Sequence, residues 1–270
     1  MTTIDLHLHT VRSDGHDQPR AVMHACHGMR AWAITDHDTV GGWAVVRGAP
    51  GLICGVEATA ALAGREVHLV GLGIDPAGEP LAGLLSHHRA VRRTRFARLL
   101  ARLPAHVRRD LRAEDFAGHE SEALGRSHLA RAVVKRGGAA SVHQVFAEHL
   151  GDEHCADPEL SPFAPPEQVC AAIAGAGGVA ILAHPAVYGS ATNALAVADA
   201  CGANLHGIEL DSPRCTGELR SALDAAITAR GWLVSRGSDR HRITGRPPAA
   251  EPPHPGLVAL LDRLGAPATG

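Results

Sequence analysis

Thr3-Ile4-Asp5-Leu6-His7-Leu8-His9-Thr10 is the stretch on which the reading of this chain turns. Thr3 to Leu8 alternates in the period of a short β-strand, and that period sends His7 and His9 to the same side. Two imidazoles so placed can hold one metal ion. A His-x-His pair alone is a weak signal, so its weight depends on what the rest of the chain brings to the end of that strand.

Downstream of this strand, a helix is expected to begin near Pro19 and to stop at Gly28, and Arg30 to Thr35 reads as a second strand. Further short apolar runs follow at Gly51–Val56, Val67–Leu72, Val179–Leu182, Gly207–Leu210 and Trp232–Val234, with helical stretches at Glu167–Ala174 and Glu218–Ala229 between some of them. Strands alternating with helices predict an α/β fold with a largely parallel sheet. Leu81 to about Pro165 breaks the rhythm. It is rich in Arg and Ala and helical in period, and it reads as an inserted helical lobe. Thr244 to Pro255 reads as loop and Gly256–Leu264 as a closing helix.

Nearly every predicted strand terminates in a potential metal ligand. Ser13-Asp14-Gly15 occupies the loop after the first strand, Thr35-Asp36-His37-Asp38 ends the second and Gly55-Val56-Glu57 ends the third. Val67-His68-Leu69 comes next, then Ala183-His184-Pro185, and Gly237-Ser238-Asp239-Arg240-His241 follows the last strand. Each residue has an ordinary explanation as a turn former, cap or surface charge, but chance does not place them at strand ends repeatedly. In α/β folds these ends converge on one cavity. Mixed imidazole and carboxylate shells suit Mn²⁺, Fe²⁺ or Zn²⁺, and a carboxylate such as Glu57 can bridge two ions. Paired ions activate water and clamp the oxygens of a phosphoryl transfer, so the implied reaction is phosphate-ester hydrolysis.

Composition narrows the alternatives. With 270 residues, 45% of them hydrophobic, and a net charge of −2, the chain can bury one sizeable core and lacks the dense positive charge of a duplex-binding protein. No run reaches the length of a membrane span and no leader precedes the first strand, which predicts a cytoplasmic protein that does not engage a membrane. The six cysteines form no Cys-x-x-Cys pair, which disfavours a zinc knuckle or a disulfide framework. Nineteen histidines are too many for all to be ligands. His24, His27, His87 and His88 are read as surface or packing residues on helices, and His206 as lying opposite the site. Arg92, Arg93, Arg95 and Arg98 are read as a solvated helix face.

Taken in order, Asp-Leu-His-x-His-Thr, Ser-Asp-Gly, Thr-Asp-His-Asp-Thr, Gly-Val-Glu, Ala-His-Pro and Gly-Ser-Asp-x-His resemble the PHP (polymerase and histidinol phosphatase) superfamily over Asp5 to His241. Glu66-Val67-His68-Leu69-Val70-Gly71 and Gly125-Arg126-Ser127-His128-Leu129-Ala130-Arg131 are similar to the branch of 3′,5′-nucleoside bisphosphate phosphatases, AMP-releasing phosphohydrolases and a 5′-to-3′ exoribonuclease. The resemblance implies a single PHP domain over 1–270, a distorted (β/α)7-like barrel with a helical insertion at about 81–165. It implies two or three divalent ions (Mn, Fe or Zn): one on His7, His9, Glu57 and Asp239, a second on Asp14, His37 and His184, and a third on Glu57, His68 and His128. His241 is a ligand or a neighbouring group. Asp36 would orient a ligand or move a proton, and Asp36, His241 and Arg126 are the catalytic candidates. Arg126, whose fork can pair two phosphate oxygens, joins Ser13 and Arg131 as candidate substrate-binding groups.

Two segments depart from that branch. Its Gly-Lys-x-x-Tyr-Val is Gly151-Asp152-Glu153-His154-Cys155-Ala156 here, and its Gly-Arg-Tyr is Ala186-Val187-Tyr188, so two cationic groups suited to a second phosphate are missing. The expected activity is hydrolysis of a phosphate monoester by metal-activated hydroxide, on a small phosphorylated substrate such as a nucleotide or a short RNA end. A histidinol-phosphate-type phosphatase and a catalytically silent PHP binding module are the alternatives.

Overall fold

The structure, a computed structural model, describes residues 3–157, 159, 160, 162–244 and 254–266. Seven strands form one sheet in sequence order: β1 (Ile4–Leu8), β2 (Ala31–Ile34), β3 (Leu52–Leu62), β4 (Arg65–Leu72), β5 (Val179–Leu182), β6 (Gly207–Asp211) and β7 (Leu233–Arg236). The helices are α1 (Pro19–Ala25), α2 (Gly41–Val46), α3 (Glu79–Arg102), α4 (Ala105–Arg108), α5 (Arg126–Lys135), α6 (Val142–Val145), α7 (Asp152–Cys155), α8 (Pro166–Gly175), α9 (Ala191–Ala200), α10 (Gly217–Arg230) and α11 (Pro255–Arg263). The sheet closes on itself. The chain beyond β7 returns to β1, where Asp239 N–H donates to the His7 carbonyl and His9 N–H to the Arg240 carbonyl, each at 3.0 Å. A distorted seven-stranded barrel results, joined at this seam by those two bonds rather than by a ladder between β1 and β7.

The sheet is mixed rather than largely parallel. β1 to β3 and β5 to β7 run parallel, but β4 is antiparallel to both of its neighbours. The cause is a two-residue hairpin at Ala63-Gly64, whose φ values of 50° and 77° are those of a type I′ turn, the turn that matches the twist of paired strands. Ala-Gly is a weak hairpin signal beside Asn-Gly, and β3 reads as ending at Val56. It continues instead to Leu62, so Glu57 sits inside a strand. Gly231, in the left-handed region at φ 65°, stops α10 as a glycine C-terminal cap should.

Among the described residues three hydrophobic clusters carry the packing, the smallest of them Leu8, Val22, Trp32, Ile34 and Val46. The largest lines the barrel and its helices with side chains such as Leu6, Val56, Leu69, Ile173, Ile181 and Val234. A second, between β4 and α8, gathers Phe96, Leu99, Leu103, Leu129, Val133 and Leu160 under the helical stretch expected from the sequence. α3 buries Arg92 and Arg95, which are 5% and 4% exposed, while Arg93 and Arg98 face solvent. The solvated-face reading therefore fails for half of that stretch. His88, expected as a surface or packing residue, is fully buried on the same helix face and packs against Phe163. The expected loop at 244–255 lies largely outside the described residues.

Candidate metal centre

Glu57 is the middle of the site. Its carboxylate is fully buried, and five imidazoles face it: His37, His9 and His7 stand 2.9, 3.2 and 3.4 Å from Oε2, and His184 and His68 stand 2.9 and 3.1 Å from Oε1. Around this centre three groups form. His7 Nε2, His9 Nε2 and Asp239 Oδ1 converge with Glu57 Oε2, His9 lying 3.2 Å from Asp239. Asp14 Oδ1 meets His241 Nε2 at 3.1 Å and His37 Nε2 at 3.6 Å. Glu57 Oε1 gathers His68 and His184.

The first group is the one the resemblance implies; the other two are sorted differently. His184 joins Glu57 and His68 rather than Asp14, and His241 takes its place beside Asp14 and His37. His128 is withdrawn from the cage. Its Nε2 donates to the Ser13 carbonyl (2.9 Å) while Nδ1 accepts from the Gly125 N–H (3.1 Å), so neither ring nitrogen is free. Burial pushes this imidazole down to about 3, which keeps it neutral and suited to that strut.

Behind the cage, hydrogen bonds fix the orientation of its histidines. His7 Nδ1 donates to Glu209 Oε2 at 2.9 Å, which turns Nε2 toward the cage, and the same oxygen accepts the His184 N–H at 3.1 Å. Ser13 Oγ donates to Asp36 at 2.6 Å and in turn accepts from His9 Nδ1 at 3.2 Å. Asp36 also accepts from Thr10 N and Thr10 Oγ, both at 2.7 Å, and is wholly buried. Ser13 and Asp36 therefore brace His9, which for Asp36 is the ligand-orienting role of the two expected, and neither lines the cavity, where Ser13 was expected to bind substrate. Carboxylates behind metal-binding histidines set the tautomer and the ring orientation in this way. On the far side, Asp5 of β1 accepts from Ser238 N (2.9 Å) and Ser238 Oγ (2.7 Å), which pins the loop carrying Asp239 and His241. Asp38, His184 and Asp239 hold left-handed backbone at φ 51°, 29° and 52°, a conformation L residues keep only where surrounding contacts enforce it.

Glu209 and the buried ion pairs escaped the sequence reading. Gly207-Ile208-Glu209-Leu210 passes for an apolar run, although a carboxylate inside such a run is the same signal as Gly55-Val56-Glu57. Asp38 pairs with Arg92 at 2.6 Å and with His88 at 3.2 Å, and Glu66 holds Arg95.

The donor set fits divalent cations. Asp14 Oδ1, Glu57 Oε2 and His37 Nδ1 are buried without a hydrogen-bond partner, although neighbouring cage atoms approach closely. Buried polar atoms rarely stay unspent. Burial opposes charge on Glu57, yet His37, His68 and His7 hold it well below the usual carboxylate range. Burial likewise opposes charging His9 and His68, but Asp239 and Glu57 lift His9 to about 10, and Glu57 with Glu66 lifts His68 to about 9. The cage therefore favours positive charge, and its mixed nitrogen and oxygen donors suit first-row metals.

A cavity of about 550 Å³ opens over the cage, with Asp14, His37, Glu57, His68, His184, Asp239 and His241 on its floor. That volume suits a nucleotide-sized ligand. Arg126 lines it, its Nη1 donating to Asp152 (2.7 Å) and to the Leu150 carbonyl (3.1 Å) and its Nη2 standing 3.6 Å from Glu66. Arg131 is elsewhere, donating to the Asp14 carbonyl and touching His16 on the other side of His128.

No family model matches the chain. It is 33% identical to the 5′-3′ exoribonuclease Rnm of Escherichia coli over 88% of this chain and 85% of that one. The chain belongs to the PHP family of metal-dependent phosphoesterases. The 3′,5′-nucleoside bisphosphate phosphatase of Chromobacterium violaceum is 31% identical over 89% and 88% of the two chains. A candidate metal-dependent phosphoesterase of Bifidobacterium adolescentis has the same fold, with a TM-score of 0.80 and 27% identity over 97% and 96% of the chains. Like these PHP relatives, the chain is a hydrolase of phosphoester bonds. None of its described helices is long and apolar enough to cross a membrane.

Proposed function

We propose that residues 1–270 act as one PHP domain that hydrolyses the phosphate monoester of a nucleotide, a short RNA end or a metabolite of similar size, with three divalent ions of the Mn, Fe or Zn class. The observation that carries this reading is Glu57, a single buried carboxylate whose two oxygens face five imidazoles. His7, His9, Glu57 and Asp239 would hold one ion, Asp14, His37 and His241 a second, and Glu57, His68 and His184 the third. Such ions, when bound, activate water and neutralise the phosphoryl oxygens.

The protein's own groups do the rest. Glu209, and Asp36 acting through Ser13, keep His7 and His9 turned to the cage. Arg126, fastened to Asp152, braces the wall above it and is not a free clamp. The size of the cavity supports single-stranded or mononucleotide substrates over a duplex. Scattered cysteines, five of them buried, support a reducing, cytoplasmic setting.

The test is phosphate release by Mn²⁺-loaded protein from nucleoside monophosphates, 3′,5′-bisphosphates, short 5′-phosphorylated RNAs and histidinol phosphate. Release from a nucleotide or RNA end is expected. Release from histidinol phosphate alone would overturn the substrate class, and no release from any ester would overturn the reading.

A further inference from the structure

Among the described residues, four arginines line the cavity over the cage, and three of them are already paired. Arg92 donates to Asp38 at 2.6 Å and to Thr59 Oγ at 2.6 Å; Arg95 is held by Glu66; Arg126 is held by Asp152 and Glu66. An anion approaching that wall meets guanidiniums whose charge is already balanced by Asp38, Glu66 and Asp152, although Arg95 Nε has no hydrogen-bond partner. The fourth, Arg214, has no hydrogen bond or ion pair among the described residues, and it is exposed at the rim.

Arg214 stands on a built support. β6 ends at Asp211, which is clamped by Arg220 at 2.6 Å and Arg236 at 2.9 Å. Cys215 is buried and its N–H closes a turn on the Ser212 carbonyl at 3.1 Å, while Pro213 fixes one backbone angle between them. Ser212 Oγ, also lining the cavity, is buried without a partner. A rigid turn thus presents one unspent hydroxyl and one unspent guanidinium to the same space. Val187, half-exposed and apolar, also lines the cavity, and Asp152 is paired with Arg126 beside it.

We propose that Arg214, with Ser212 beside it, is the specificity-determining element of this site, recognising a second phosphate on the leaving-group side of the scissile ester. This deepens the phosphomonoesterase reading and rests on it. The second phosphate can come from a nucleoside bisphosphate or from the next phosphodiester of an RNA chain. The planar guanidinium fork recognises either one in the same way.

Steady-state kinetics of Mn²⁺-loaded wild type, Arg214→Gln and Arg214→Lys on p-nitrophenyl phosphate, a nucleoside 3′,5′-bisphosphate and a 5′-phosphorylated dinucleotide test this. Wild type is expected to favour at least one ester carrying a second phosphate. In Arg214→Gln that preference falls about tenfold, the value of one charged hydrogen-bonded contact, through KM rather than kcat, and Arg214→Lys recovers part of it. The ester whose preference falls identifies the source of the phosphate. Turnover of all three esters with a ratio unaffected by Arg214, or with a uniform loss on all three, would overturn this inference alone. No turnover of any ester would overturn the phosphoesterase reading and this inference together.

Discussion

His128 and His184 show what a single residue's surroundings decide. Both stand near the cage, but His128 spends both ring nitrogens on backbone groups while His184 turns Nε2 to Glu57. His184→Ala is therefore expected to lose one ion per chain and His128→Ala to keep full metal content, as read by elemental analysis. An ion lost from His128→Ala would refute the strut. Glu209 acts one bond further out, through His7. Glu209→Ala should weaken metal affinity about 10- to 100-fold, the usual cost of removing a carboxylate behind a metal-binding histidine. Titration with a metal indicator checks this, and an unchanged affinity would count against the positioning role. The nine cage residues, His7, His9, Asp14, His37, Glu57, His68, His184, Asp239 and His241, were all legible as motifs. Their grouping was not, because which imidazole reaches which carboxylate depends on backbone turns such as the left-handed one at His184.

At the scale of elements, the loop after β2 is tied to α3 by Asp38, Arg92 and His88, all buried. Burial works against ionising Asp38, but Arg92 and His88 outweigh it and hold the carboxyl well below its usual range. Asp38→Asn leaves a buried guanidinium unpaired, and chemical denaturation should show a loss of about 3–5 kcal/mol near neutral pH. The sign with pH follows from the lowered folded value. The carboxylate's contribution is fully present above the unfolded value of about 3.9 and is lost as pH falls through the folded one. The gap between wild type and Asp38→Asn should thus hold steady down to about pH 5 and narrow below about pH 4. A gap that widened on acidification would contradict the pairing. Sequence pattern misread this contact because alternating Arg positions on a helix look alike until the partner surface is known. The same limit hid the β3–β4 hairpin, whose Ala63-Gly64 turn carries little compositional signal.

For the whole molecule, the alternation of strands and helices was enough to place the chain among α/β folds, and ligand residues at strand ends marked one side of the barrel as the site. What pattern could not supply was closure, which lies in the backbone bonds between β1 and the segment after β7 that also carries Asp239 and His241. Barrel closure and the assembly of the cage are therefore one structural event. Metal should stabilise the fold as well as serve the reaction, by about 2.7 kcal/mol at a free concentration one hundred times the dissociation constant. Chelation is expected to lower the melting temperature by several degrees, and Mn²⁺ should restore it. A melting temperature indifferent to metal would mean that the cage forms without the ions.

The measurement that tests the central claim most directly is elemental analysis of wild type and Glu57→Ala after reconstitution with Mn²⁺, with phosphate release assayed on the same samples. Three ions per wild-type chain are expected, falling in Glu57→Ala to no more than the one on Asp14, His37 and His241, with turnover almost abolished. Full metal content or full turnover in Glu57→Ala would contradict a site built around that carboxylate.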